Sequence, residues 1–170
     1  MSEAVRPPLI AVCGASQPTP EQASVAEEVG RRLAERGAVV VCGGLSGVME
    51  AVCRGVAGAG GLSIGLLPGE APEGANPHVS IALATGLGEL RNALIARGCR
   101  AMIAIGGGYG TLSEIAFMLR LGRPVCAVGS WKLLPPAGHG EPVPIHQADD
   151  AASAVAWVME QAGGHDLSRP

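Results

Sequence analysis

Two glycine-rich stretches, one arginine and one glutamate carry most of the chemistry open to this sequence. Gly43-Gly44-Leu45-Ser46-Gly47 and Gly106-Gly107-Gly108-Tyr109-Gly110-Thr111 each follow a short apolar run and precede a stretch with helical spacing. Glycine lets the backbone take positive φ and come close to a ligand. A helix N-terminus behind it offers unpaired N–H groups and a partial positive charge. Together these form a cradle suited to phosphate. A tight strand-to-helix turn accounts for either stretch alone; two of them in one small chain favour the cradle. Neither fits G-x-G-x-x-G, because Thr111 stands where the last glycine would be, so a dinucleotide is only weakly indicated.

Arg91 follows Leu87 by four and precedes Leu94 by three and Ile95 by four, so it borders the apolar stripe of its helix. A charge beside a buried face needs an acidic partner or an anionic ligand, and a guanidinium suits bidentate contact with phosphate. Snorkelling or a structural salt bridge is the plain alternative. Thr111-Leu112-Ser113-Glu114 has capping-box spacing, which alone explains the glutamate. The same spacing also fixes a carboxylate at the mouth of the second glycine loop, and both readings stay open. Gly14-Ala15-Ser16-Gln17 adds N–H and hydroxyl groups, or is an ordinary turn. Tyr109 is the one aromatic placed to touch a ligand; Phe117 and Trp157 read as packing residues.

The elements that position these groups alternate. Apolar runs at 9–13, 38–42, 62–67, 79–84, 101–105 and 124–128 read as buried strands, with a short last one at 143–146. Between them lie helices. The first has Thr19 as N-cap, Pro20 at its first position, Gln22 completing a capping box, and Gly37 as its stop. Others span 48–57, 87–97 with Leu87, Leu90 and Leu94 on one face, and 111–122. The last is capped by Asp149 or Asp150, with Ala151, Val155, Val158 and Ala162 on one face. Such alternation predicts an α/β fold: a single-domain, doubly wound, Rossmann-like parallel sheet of six or seven strands with helices on both faces. Every glycine loop follows a strand, so all point to the carboxyl edge where ligands bind. The domain is expected over 8–162, with 1–7 and 163–170 as flexible ends.

Composition removes other classes. Of 170 residues, 48% are apolar and only 16% charged, unlike a disordered chain. A net charge of −3 and few aromatics argue against nucleic acid. Lys132 is the lone lysine, so there is no Walker loop. Cys13, Cys42, Cys53, Cys99 and Cys126 are odd in number, lack C-x-x-C spacing and lie in or beside apolar runs. They read as reduced and buried, in a cytoplasmic protein. His78, His139, His146 and His165 show no metal spacing, and no metal site is expected. No apolar run reaches 18 residues, and the N-terminus does not read as a signal peptide.

Cys42–Ala51 (C-G-G-L-S-G-V-M-E-A), Glu89–Asn92 (E-L-R-N) and Gly106–Ile115 (G-G-G-Y-G-T-L-S-E-I) resemble a Rossmann-like superfamily once described as possible lysine decarboxylases. It includes the Lonely Guy cytokinin-activating phosphoribohydrolases and the molybdenum cofactor carrier proteins. The resemblance covers roughly 8–160. It implies a homodimer or higher oligomer, no pyridoxal phosphate and no lysine decarboxylation. It also implies catalytic roles for Arg91 and Glu114 if the chain hydrolyses the N-glycosidic bond of a nucleoside 5′-monophosphate. Gly107, Gly108, Gly110 and Thr111 would then hold the 5′-phosphate. Three departures lean toward the carrier branch: Ile105-Gly106 before the loop, Gly88-Glu89-Leu90-Arg91-Asn92 without His or Lys, and Met49-Glu50 in place of Met-Gly. The expectation is therefore a binding protein for a phosphorylated small molecule, a pterin such as the molybdenum cofactor or a nucleotide monophosphate. The hydrolase is the alternative. The expected phosphate and ligand contacts are Gly14, Ser16, Gly43, Gly44, Gly47, Met49, Arg91, Asn92, Gly107, Gly108, Tyr109, Gly110, Thr111 and Glu114. The helices at 48–57, 87–97 and 112–121 carry little charge, which predicts that they pack against their mates in a two-fold homodimer.

Overall fold

In the computed structural model, residues 6–138 and 140–164 are described. His139, His165 and most of the expected flexible ends lie outside them. Seven strands form one sheet in the order β4-β3-β2-β1-β5-β6-β7. They are β1 (Leu9–Gly14), β2 (Val39–Cys42), β3 (Ser63–Leu67), β4 (Ile81–Ala84), β5 (Ala101–Ile105), β6 (Val125–Val128) and β7 (Ile145–Ala148). All six pairings are parallel. The last strand forms two residues later than the sequence pattern predicts.

The central strands are apolar throughout because both of their faces are covered. Ile10 and Val12 of β1, with Ile103 and Ile105 of β5, pack under α1 (Pro20–Glu35), α2 (Val48–Gly58) and α5 (Ala151–Gly164). Ala11 and Cys13, with Met102 and Ala104, pack under α3 (Asn92–Gly98) and α4 (Tyr109–Arg120). Period-two alternation thus feeds two cores at once. The chain moves outward from β1 to β4, then returns so that β5 lies beside β1. That reversal opens a crevice between the carboxyl ends of β1 and β5.

Helix ends follow their local chemistry. Thr19 and Gln22 form the full reciprocal capping box of α1. Asp150 Oδ1 accepts from the Ser153 N–H at 2.8 Å and caps α5. Ala151, Val155, Val158 and Ala162 are buried as their spacing predicts.

Two expectations need correction. The apolar face of α2 is covered by α1 of the same chain, not by a second copy. Gly30 and Gly55 let the two helices meet backbone to backbone: a Cβ on Gly30 would strike the Val52 carbonyl, and one on Gly55 the Glu27 carbonyl. The segment expected as a helix over 87–97 is a 3₁₀ turn, Gly88–Arg91, running into the short α3. It turns Arg91, Asn92, Ile95 and Ala96 inward and leaves Leu87, Leu90 and Leu94 exposed, Leu90 at 72%. The tighter 3₁₀ winding changes which side chains share a face.

Candidate functional site

The end of β1 and the loop after β2 carry glycine for a steric reason. A Cβ on Gly14 would collide with the Ile105 carbonyl, and one on Gly47 with the carbonyls of Ala15 and Ser16. The β1 and β2 loops therefore lie against each other, joined by the Val48 N–H donating to the Ala15 carbonyl at 2.9 Å. Gly44 has φ +73, and its carbonyl accepts from the buried Asn76 side chain at 3.2 Å. Its N–H donates to Cys42 Sγ at 3.3 Å. Asn76, from the loop before β4, also donates to the Leu45 carbonyl at 3.0 Å and so fixes the first glycine loop. Sequence reading had no local signal for it.

The second loop is held as firmly. Gly107, at φ +106, sits so close to Thr111 that a Cβ would overlap its side chain. The helix begins two residues before the predicted start: Gly108 is the N-cap of α4 and makes no side-chain cap. Thr111 and Glu114 therefore do not form a capping box; both are buried within the helix. Ser113 Oγ accepts from Asn92 Nδ2 at 2.8 Å and donates to the Gly110 carbonyl at 2.8 Å, tying α3 to α4.

Between these loops lies a cleft of about 390 Å³. Ten of the expected contacts line it: Gly14, Ser16, Met49, Arg91, Asn92, Gly108, Tyr109, Gly110, Thr111 and Glu114. Gly43, Gly44, Gly47 and Gly107 are not in its lining. Gly43 lies beneath the Arg91 guanidinium, where a Cβ would displace both terminal nitrogens. Gly107 faces a separate open depression with Gln22, Ser130, Trp131 and Lys132. Leu45, Pro68 and Glu89 complete the cleft and were not anticipated. Pro68 and Leu45 are ordinary loop residues by sequence, and only the fold brings them here.

Arg91 decides the electrostatics. It is 8% exposed, and its Nε and Nη1 are buried without a hydrogen-bond partner among the described residues. Glu114, 7% exposed, senses that charge and the Cys13 thiol. Burial pushes its carboxyl up to about 7, while Arg91 and the Cys13 hydrogen bond pull the other way. The Cys13 thiol is raised in turn, first by its burial and then by Glu114. The cleft is thus lined by a cation with two donors unpartnered among the described residues and by a carboxyl raised toward neutrality, beside the first turn of α4. Elsewhere, all five cysteines are free and buried. No group of three or more metal-ligating residues occurs among the described residues. No helix among them is long and apolar enough to cross a membrane.

Residues 7–158 match the sequence model of the SLOG cluster4 family. The chain belongs to the SLOG cluster4 family. The fold matches the molybdenum cofactor binding protein from the phototrophic bacterium Rippkaea orientalis with TM-score 0.82 and 29% identity, over 92% of this chain and 98% of that one. It matches the Moco carrier protein from Chlamydomonas reinhardtii with TM-score 0.80 and 31% identity, over 94% and 100%. In sequence, 107 residues are 40% identical to a probable cytokinin riboside 5′-monophosphate phosphoribohydrolase of Oryza sativa subsp. japonica, covering 61% of this chain and 44% of that protein. The chain thus spans less than half of that rice relative. The resemblance read from the glycine loops is to this same group of proteins.

Proposed function

We propose that the chain binds a phosphorylated small molecule, in the manner of the Moco carrier proteins, with the phosphate at Arg91 and the N-terminus of α4. The observation that carries this reading is Arg91, which lines the cleft and whose buried Nε and Nη1 have no partner among the described residues. Buried donors without partners cost about 1–3 kcal/mol each, and an anion removes that cost. The amides of Gly108, Tyr109, Gly110 and Thr111 supply the rest of the cradle. Molybdenum cofactor would be carried here as cargo. The likeness to the molybdenum cofactor binding protein and the Moco carrier protein supports this, as do the loop departures from the hydrolases. Calorimetric titration with AMP, molybdopterin and molybdenum cofactor tests it. Saturable binding to one of them is expected, weakened about 10- to 100-fold in Arg91→Gln; no binding at micromolar protein would refute it.

A second reading is hydrolysis of a nucleoside 5′-monophosphate to free base and ribose 5-phosphate. Glu114 favours it, because a carboxyl near pKa 7 suits general acid–base work at neutral pH. Base release from AMP, abolished in Glu114→Ala, would support it.

The protein works as a homodimer or higher oligomer in this proposal. Leu87, Leu90, Leu94 and Phe117 are exposed on α3, α4 and the turn before α3, and a second copy is what would cover them. The expected setting is the cytoplasm, where five free thiols stay reduced.

A further inference from the structure

Cys42 ends β2, and Cys53 lies on α2, eleven residues on. Packing of that helix on the sheet brings their sulfurs to 3.6 Å, with both residues fully buried. We propose that these two thiols are a reversible redox site, closed to a disulfide by a small peroxide, and that closure loosens the first glycine loop. This goes beyond the ligand reading and stands whether or not a phosphate binds.

The two sulfurs are not equivalent. The hydrogen bond with Cys42 holds the Cys53 thiol below its ordinary value, with help from Ser63 and Asn76 and against its burial. The same bond, with burial, holds the Cys42 thiol well above its own. Cys53 is therefore the attacking thiol and Cys42 the resolving one. The other three thiols are placed differently: Cys13 donates to Met102 Sδ at 3.5 Å, and burial pushes Cys99 and Cys126 up to about 12. The pair lies one side chain below solvent, because Asn76, hydrogen-bonded to Cys53, is 8% exposed. Glutathione disulfide is too bulky for such a site, whereas hydrogen peroxide is little larger than water. The Cys53 thiolate attacks one peroxide oxygen; the S–O bond forms, the O–O bond breaks, and the departing hydroxide takes a proton to become water. The Cys42 sulfur then attacks the Cys53 sulfenic acid; the S–S bond forms, the S–O bond breaks, and the Cys42 proton leaves with the hydroxide as a second water. Two thiols are oxidised and one peroxide is reduced to two waters; an external dithiol reverses the change.

Closure moves the Cys42 sulfur, which accepts from the Gly44 N–H at 3.3 Å, because a disulfide draws the two sulfurs to about 2.05 Å. Asn76, the partner of Cys53, is the side chain that ties down the Gly44 and Leu45 carbonyls. Gly43, between Cys42 and Gly44, is the seat of the Arg91 guanidinium. The dithiol is thus joined to the first glycine loop from both of its sulfurs.

Arg36 and Arg54 bound a tryptic peptide, residues 37–54, that contains Cys42, Cys53 and no other cysteine. The full chain is treated with hydrogen peroxide, alkylated under denaturing conditions, digested and weighed. The peptide should lose two hydrogens, resist alkylation at both cysteines and return to the reduced form with dithiothreitol, while Cys13, Cys99 and Cys126 stay open to alkylation. Exchange of the Gly44 amide, followed by NMR, should rise about fivefold on closure, the scale of one modest hydrogen bond. In Cys42→Ser, which leaves a hydroxyl beside Cys53, dimedone should trap Cys53 as its sulfenic acid. A parent peptide that keeps both thiols at a peroxide dose that converts its Met49 to the sulfoxide overturns the redox site, as does Cys53 passing to sulfinic acid without the link. A disulfide that leaves Gly44 exchange unchanged overturns its control of the loop. A folded Cys42→Ser protein that gives no adduct at Cys53 overturns the assigned order of attack.

Discussion

Glu114→Gln removes one buried ionisation and should flatten part of the pH dependence of folding. Burial raises the Glu114 carboxyl to about 7 from an ordinary 4.5. The folded state therefore prefers the protonated acid. Its stabilising contribution is complete below about pH 4.5 and is lost as pH rises through about 7. Each tenfold difference in proton affinity is worth about 1.36 kcal/mol. Integrated between about pH 5 and about pH 8, the loss is about 2.5 kcal/mol. For a domain of this size that is about 5–10 °C in Tm. Other carboxylates titrate over the same range, so the quantity to measure is the difference between parent and variant. Urea unfolding of both proteins at the two pH values gives it directly. The parent should be favoured at the acid end, with the gap closing or reversing by about 2.5 kcal/mol at the alkaline end. A difference that stays constant to within about 0.5 kcal/mol would show that Glu114 ionises normally in the fold. A bound phosphate adds negative charge beside the same carboxyl, so affinity should also fall as pH rises through about 7 in the parent and not in the variant.

Gly43→Ala puts a methyl where the Arg91 guanidinium lies. It should cost about 1–3 kcal/mol of stability by overpacking and weaken phosphate binding by displacing Arg91, although no cleft-lining residue is itself replaced. Calorimetry and thermal melts read the two effects separately. Thr19→Ala deletes the hydroxyl that caps α1. About 1 kcal/mol should be lost, seen as a Tm lower by about 2–4 °C. Leu90→Lys with Leu94→Lys charges the exposed face of α3 and the turn before it. Light scattering should move from at least twice the monomer mass to the monomer, and a parent that is itself monomeric would refute the oligomer.

Sequence periodicity located the central strands and most helices because buried parallel strands are apolar on every residue and capped helices announce their starts; β4 lies at the sheet edge with Ile81 and Leu83 exposed rather than buried. Thr19, Pro20 and Gln22 placed α1 to the residue. The same logic failed where a local signal competed with tertiary contact. Thr111 and Glu114 have capping-box spacing, yet α4 starts at Tyr109 because the loop turns on Gly106 and Gly107, both at positive φ. Leu87, Leu90 and Leu94 look like a core stripe, but the 3₁₀ turn rotates Arg91 inward in their place. Arg91 itself was legible as a charge beside a buried face. Its lack of a partner was not, since that depends on everything packed around it. Leu45, Pro68 and Asn76 reach the site only through the order of strands β1, β2 and β3, which no local pattern encodes.

Arg91 and Glu114 are both buried beside the cleft, yet no hydrogen bond joins them among the described residues. A buried guanidinium beside a buried carboxyl would ordinarily close into a hydrogen-bonded pair, which would satisfy the cation and hold the acid well below its ordinary value. Here the Glu114 carboxyl lies by the Cys13 thiol, whose Sγ donates to Met102 Sδ at 3.5 Å, and Arg91 rests on Gly43 just after β2. Nε and Nη1 of Arg91 go without a partner among the described residues. The guanidinium and the thiol are the two groups that pull the Glu114 carboxyl down against its burial. Removing the thiol should therefore raise that carboxyl further and keep it protonated to higher pH. A Cys13→Ala variant is expected to carry the loss of stability with rising pH into a more alkaline range than the parent, and a urea-unfolding pH profile that matches the parent's would refute this.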